Sequence, residues 1–190
     1  MATAQKLPDE PSLPTGLDVP AFLAWVKANP GRYELHNGEI FAMSPARVRH
    51  GVKKFAIQRA LLDGVRHAGL PCHVMPDGIA VQVSDKKWYE PDALVYCGPE
   101  APGDDIKIDN PIIVVEVISP STAGLDAMHK LIGYFDVASV EHYIIVHPVS
   151  QRILHHKRQA DGTLLTTIMS GGVLRLDPPG LSVDLTEILS

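Results

Sequence analysis

Residues Pro111 to Thr122 read PIIVVEVISPST. Between Ile112 and Ile118 every residue is apolar except Glu116, most are β-branched, and Ser-Pro-Ser-Thr closes the run. An uninterrupted run of this kind predicts a strand covered on both faces, not one that alternates between core and solvent. Glu116 then lies buried or in a cleft. A carboxylate in such a place is costly to desolvate unless a cation, a metal or several hydrogen-bond donors meet it. The stretch therefore predicts a layered fold around a central strand, and a partner for Glu116.

The neighbouring segments supply the layers. Three strand-like pieces precede the run, at about Cys72 to Met75, Ile79 to Val83 and Asp92 to Tyr96, punctuated by Gly, Asp and Lys clusters. Helix-capping residues at Ser119 to Thr122 and a helix over Ala123 to Ala138 follow it, and then HYIIVH reads as a second buried strand. Upstream, Val19 to Asn29 has helical spacing, and Asn37-Gly38 marks a tight hairpin between strands at about Arg32 to His36 and Glu39 to Met43. After Ser44-Pro45, Val48, Val52, Phe55, Ile57, Leu61, Leu62 and Val65 recur at helical intervals and predict a long helix ending near Gly69.

Residues 151 to 176 predict an antiparallel meander, and the tail from Asp184 a terminal helical turn. Residues 1–18 are polar and Pro-rich and read as a flexible lead-in to a single domain over 19–190. The order predicts an α/β fold, a mixed β-sheet flanked by helices, with an added N-terminal helix and hairpin and a C-terminal β-meander.

Composition narrows the function. A net charge of −5 and a pI near 5.9 do not support a broad basic surface, so any phosphate-binding region is local. Cys72 and Cys97 stand without CxxC spacing, which indicates neither a zinc knuckle nor a disulfide framework, and a reducing cytoplasm is expected. No run reaches the roughly 18 apolar residues of a membrane span.

Three segments carry the candidate chemistry. Asp92 opens a strand straight after Pro91, Glu116 sits inside the next strand, and Lys130 lies on the following helix in LDAMHKLIGYFD. Two carboxylates on neighbouring strands can share a hard divalent cation such as Mg²⁺, which prefers oxygen ligands and keeps several waters. Such a cation activates water and offsets charge building on a scissile phosphate, while a lysine ammonium orients the water or stabilises that charge. These are the parts of a metal-dependent phosphodiesterase.

The same residues resemble the Uma-two family of restriction endonucleases, within the PD-(D/E)XK nuclease superfamily. The resemblance rests on Pro91-Asp92, on Glu116-Val117-Ile118-Ser119-Pro120-Ser121-Thr122, and on Lys130 through Tyr134. It extends to Tyr33-Glu34-Leu35 with Asn37-Gly38-Glu39, to His50 on the long helix, and to Glu141-His142-Tyr143. It implies a restriction-endonuclease-like core and cleavage of DNA with Mg²⁺, or with Mn²⁺ in its place. Asp92 and Glu116 would be the metal ligands and Lys130 the third catalytic group, with Glu34 as a further acid at the rim and His50 assisting proton transfer or contacting phosphate. Tyr134 would pack beside Lys130 and hold it. Homodimers are expected by analogy with such cores.

Two positions depart from the superfamily pattern. The usual lysine two residues after the second acid is Ile118 here, and resemblance to this branch implies that Lys130 replaces it from the helix. His147-Pro148 stands where the family commonly shows an acid before proline.

Each residue also has a plainer reading. Asp92 can be a strand-entry residue bonding nearby amides, Lys130 can pair on the helix surface with Asp126 four residues earlier, and Glu34 and His50 can be solvated. The basic group Arg47, Arg49, Lys53, Lys54, Arg59 and Arg66 is a solvated helix face or a local DNA-facing surface. Rival functions are a catalytically silent nucleic-acid- or partner-binding module of the same fold, and a hydrolase of a smaller phosphodiester.

Overall fold

The structure, a computed structural model, describes residues 13–45, 47–118 and 125–190. Most of the expected lead-in and the expected caps at Ser119 to Thr122 lie outside the described residues.

Helix α1 (Val19–Ala28) starts where Asp18 accepts a hydrogen bond from the Ala21 amide at 2.9 Å, with Pro20 in its first turn. Strands β1 (Tyr33–His36) and β2 (Glu39–Ala42) form the expected hairpin. Its two turn residues, Asn37 and Gly38, have φ of 52° and 86°, the paired positive angles that match a two-residue turn to the twist of its strands. The long helix α2 (Val48–Ala68) ends at Gly69 in the left-handed conformation.

Strands β3 (Cys72–Pro76), β4 (Val81–Ser84), β5 (Lys87–Tyr89), β6 (Ala93–Cys97) and β7 (Ile113–Val117) follow. Helix α3 (Leu125–Asp136) leads to β8 (His142–His147), then β9 (Arg152–Arg158), β10 (Leu164–Met169), β11 (Val173–Leu176), β12 (Leu181–Asp184) and the short helix α4 (Thr186–Leu189).

The main sheet has the order β10-β9-β8-β7-β6-β3. It is mixed: β7 and β8 run parallel across α3, and the other pairs are antiparallel. All five residues of β7 are buried, as the opening run predicts. Because strand side chains alternate, Val115 and Val117 point to one face, where α2 contributes Ile57, Leu61 and Val65 to the core. Val114 and Glu116 point to the other, where Tyr134 of α3 and Tyr89 of β5 pack. Burying each such aliphatic side chain is worth roughly 1.5–3 kcal/mol.

A second sheet, ordered β2-β1-β5-β4, lies on the α3 side and is covered by Val19 and Phe22 of α1. Its approach to α3 depends on Gly133. A Cβ there would stand 2.6 Å from the Tyr89 ring, so only glycine lets helix and sheet come this close.

Four features differ from expectation. Strand β5 occupies a segment whose Asp85-Lys86-Lys87 reads as a break, and β12 pairs with β11 in a separate two-stranded sheet beyond the meander. On α2, Val48, Val52 and Phe55 are exposed, so the buried stripe is narrower than the apolar periodicity. Cys72 and Cys97 face each other across β3 and β6 and form a disulfide. This corrects the expectation of unpaired cysteines, because register, not spacing in sequence, brings them together. It also removes the ground on which a reducing compartment was expected. Among the described residues no helix is long and apolar enough to cross a membrane.

Candidate active site

Glu116 is met by two groups, both from α3. Its Oε1 accepts a hydrogen bond from Lys130 Nζ at 3.0 Å and another from Tyr134 OH at 2.8 Å. Lys130 and Tyr134 are four residues apart on α3 and so share one face. The same ammonium donates to Glu34 Oε1 at 2.9 Å, which brings the hairpin strand β1 into the cluster. Glu34 is held in turn by the Glu90 amide at 2.8 Å and by His36, whose Nε2 lies 2.9 Å from Oε2. Lys130 therefore stands between two buried carboxylates from different sheets, while the side chain of Asp126 lies outside the described residues.

Asp92 lies alongside. Its amide bonds to the Val115 carbonyl at 2.9 Å, and its Oδ2 accepts from the Val117 amide at 2.6 Å, so the residue next to Glu116 fixes the Asp92 carboxylate. Helix α2 supplies the rest from one face at four-residue spacing. His50 Nε2 is 3.4 Å from Oδ2, Lys54 Nζ is 2.6 Å from Oδ1, and Gln58 Nε2 donates to the Asp92 carbonyl at 2.8 Å. Lys54 also reaches Asp77 Oδ2 at 3.2 Å, an oxygen shared with Arg32 Nη1 at 3.0 Å. Arg32 closes the chain of contacts by pairing with Glu90 Oε2 at 2.8 Å.

The five residues singled out in the sequence, Asp92, Glu116, Lys130, Glu34 and His50, thus come together at one end of β7. Tyr134, expected beside Lys130, donates its hydroxyl to Glu116. Lys54 and Gln58 escape a sequence reading that places Lys54 on a solvated basic face. The signal is their spacing: His50, Lys54 and Gln58 recur every four residues beside the buried Ile57 and Leu61. Two other members of the basic group are also committed elsewhere, Lys53 to the Ser190 carbonyl and Arg59 to Glu187.

The electrostatics follow from burial and pairing. Burial pushes the Glu116 carboxyl up to about 8; Lys130 opposes the rise, while the charges of Asp92 and Glu34 add to it. Burial also works to raise Glu34, yet the Lys130 charge and the hydrogen bonds from His36 and Lys130 leave it below the usual carboxylate range. Asp92 is likewise held low against burial, by the His50 contact, the Lys54 charge and the Val117 amide. Pairing thus favours the ionised forms of Glu34 and Asp92, whereas burial favours the protonated form of Glu116 when no cation is bound. The Tyr134 hydroxyl, buried beside these acids, is pushed well above its ordinary value and remains a donor.

This donor set suits a hard divalent cation. It offers carboxylate oxygens from the start of β6 and from β7, where Asp92 Oδ2 is tied to the amide of Val117, the residue after Glu116. Among the described residues no group of three or more His, Cys, Asp or Glu is arranged to enclose a metal. Two carboxylates alone would leave most of a cation's coordination to water.

Known proteins resemble this chain in sequence and in fold. The chain is 28% identical over 163 residues to the uncharacterized protein slr1290 of Synechocystis sp., covering 85% of each. It is 24% identical over 140 residues to the uncharacterized protein sll1609 of the same organism, covering 73% of this chain and 78% of that one. The crystal structure of a protein from Anabaena variabilis, described as "a putative nuclease belonging to DUF820", superposes with a TM-score of 0.73 at 12% identity, over 91% of this chain and 97% of that one. It shares the fold. Residues 19–188 match the Uma2 family, described as "Putative restriction endonuclease", so the match spans nearly the whole chain and includes every residue of the cluster. The chain belongs to the Uma2 family.

Proposed function

We propose that the protein is a metal-dependent endonuclease that hydrolyses DNA phosphodiester bonds. The observation that carries this reading is the position of Lys130, whose ammonium reaches Glu116 and Glu34 at 3.0 and 2.9 Å from the helix that follows the Glu116 strand. Asp92 and Glu116 supply two carboxylates from neighbouring strands, and a lysine held on the second of them completes a set that suits metal-assisted phosphodiester hydrolysis.

Asp92 and Glu116 would hold Mg²⁺, or Mn²⁺ in its place, which supplies Lewis-acid stabilisation of charge developing on the phosphate. Lys130 orients the attacking water and adds a positive charge near the same oxygen atoms. Glu34 and Tyr134 are positioning residues. Glu34 fixes the ammonium from the side away from Glu116, and Tyr134 fixes the carboxylate. His50, half-buried beside Asp92, passes a proton to or from the reacting groups or contacts the phosphate. Arg47 and Arg49 are exposed at the start of α2, near His50, and would contact the DNA backbone there. We also propose a homodimer, so that two sites can address two strands, and a cytoplasmic location on the ground of a DNA substrate and not of cysteine usage.

The test is nicking of supercoiled plasmid with Mg²⁺, with Mn²⁺ and with chelator, alongside Glu116→Gln and Lys130→Ala. The expected result is cleavage that needs metal and is lost in both variants. Absence of cleavage of any nucleic acid with any divalent metal would overturn the proposal. Cleavage confined to RNA or to a small phosphodiester would keep the chemistry and replace the substrate.

A further inference from the structure

Lys54 is a charged side chain inside the cluster that the proposed reaction does not use. It comes from α2, on the opposite side of β7 from α3, and is 8% exposed. Its Nζ lies 2.6 Å from Asp92 Oδ1 and 3.2 Å from Asp77 Oδ2. The Asp92 oxygen atoms are thus occupied in the folded protein, Oδ2 by the Val117 amide and Oδ1 by Lys54. A divalent cation approaching Asp92 meets an ammonium already in place.

Asp77 gives that ammonium an alternative. It stands at the turn after β3 with its side chain 32% exposed, and its carboxylate is already oriented by Arg32 at 3.0 Å. If Lys54 left Asp92 with nothing else to meet, a buried ammonium would be stranded, which is strongly unfavourable. With Asp77 within hydrogen-bonding distance, a small movement of Nζ exchanges one carboxylate for the other. Burial disfavours the charge on Lys54, but Asp92 and Asp77 outweigh it, so the side chain remains an ammonium on either partner.

We propose that Lys54 is an exchangeable counter-ion of the metal site, resident on Asp92 in the metal-free protein and handed to Asp77 when a divalent cation takes Asp92. This rests on Asp92 being a metal ligand, as proposed above. It makes Asp77 a positioning residue for metal binding although it never touches the metal. Lys54 neutralises Asp92 when no cation is present and sets a threshold of metal concentration below which the site stays closed.

The test is a double-mutant cycle read by Mn²⁺ binding, with the free aquo ion measured by electron paramagnetic resonance. The full-length parent, Lys54→Met, Asp77→Asn and the double variant are compared, each checked by thermal melting, with Lys54→Gln replacing Lys54→Met if the latter does not fold. Lys54→Met should tighten Mn²⁺ binding about tenfold and Asp77→Asn weaken it about tenfold, in the range of coupling within one ion-pair network. In the Lys54→Met background Asp77→Asn should have less than about a twofold effect, because no ammonium remains to be relocated. An equal effect of Asp77→Asn in both backgrounds would reduce Asp77 to a distant charge and overturn the handover. So would weaker binding in Lys54→Met. Failure of the parent to bind Mn²⁺ at millimolar concentration would instead remove the metal site itself, and the handover with it.

Discussion

Glu116 and Lys130 touch, yet replacing them should have opposite consequences for stability. In the metal-free protein burial favours the protonated form of Glu116, pushing its carboxyl up to about 8. Glu116→Gln therefore replaces one neutral acceptor by another of the same shape, and Lys130 and Tyr134 keep a partner. It should melt no lower than the parent in metal-free buffer while losing cleavage; a clear drop in melting temperature would show Glu116 to be a structural anion. Lys130→Ala removes the cation that holds Glu34 ionised in a buried place. Stranding that charge should cost about 3–5 kcal/mol in urea unfolding, and Glu34→Gln in the same chain should recover part of it. A loss below about 1 kcal/mol would mean that Glu34 finds water or another partner. Glu116 was legible because a lone carboxylate in an apolar strand has few structural uses. Lys54 was not, because a lysine turned inward and one facing solvent leave the same mark on a helix sequence.

Among the elements, α3 is held against the second sheet by the one residue without a side chain at their contact. Gly133→Ala would drive a methyl group to within 2.6 Å of the Tyr89 ring, and overpacking of this kind typically costs about 1–3 kcal/mol. Because Lys130 sits one turn earlier, the displacement should also draw its ammonium away from Glu34. Cleavage should fall further than the stability loss accounts for, measured under conditions where the variant is fully folded. Equal melting temperature and equal cleavage would show that Tyr89 simply rotates aside. Legibility differs sharply between such elements. The β1–β2 hairpin and β7 announce themselves through Asn37-Gly38 and an unbroken apolar run. Strand β5 does not, because Lys87 to Tyr89 are three residues whose place is set by pairing with β1 and β4. The cross-strand disulfide is hidden for the same reason: opposition of Cys72 and Cys97 is a property of register.

At the scale of the whole molecule, a pair of stacked histidines ties the main sheet to the C-terminal hairpin. His142 Nδ1 lies 2.8 Å from His155 Nε2, and His142 Nε2 lies 2.8 Å from the carbonyl of Pro178 in the turn between β11 and β12. Both rings are lowered to about 4, chiefly by burial; the His155 and Lys157 charges add to this for His142, with the Pro178 carbonyl and Asp177 opposing, and the His156 and Lys157 charges add to it for His155. Both histidines are thus uncharged in the folded protein at pH values where an unfolded chain would protonate them. The unfolded state binds more protons between about pH 6.5 and 4, so stability is complete above that window and declines as pH falls through it. Urea midpoints measured across this range should show the decline, and His142→Gln should flatten it. An unchanged slope in that variant would assign the acid limb to other groups.

Glu34 and Lys130 are separated by 96 residues of chain and Lys130 and Glu116 by only 14. The short link can form as soon as one strand and its helix meet, but the long one waits until the N-terminal hairpin has closed over them. Until then the ammonium has half its setting. For a protein that cuts as proposed, assembly of the two sheets and readiness to cut would be one event, and a half-made molecule a harmless one.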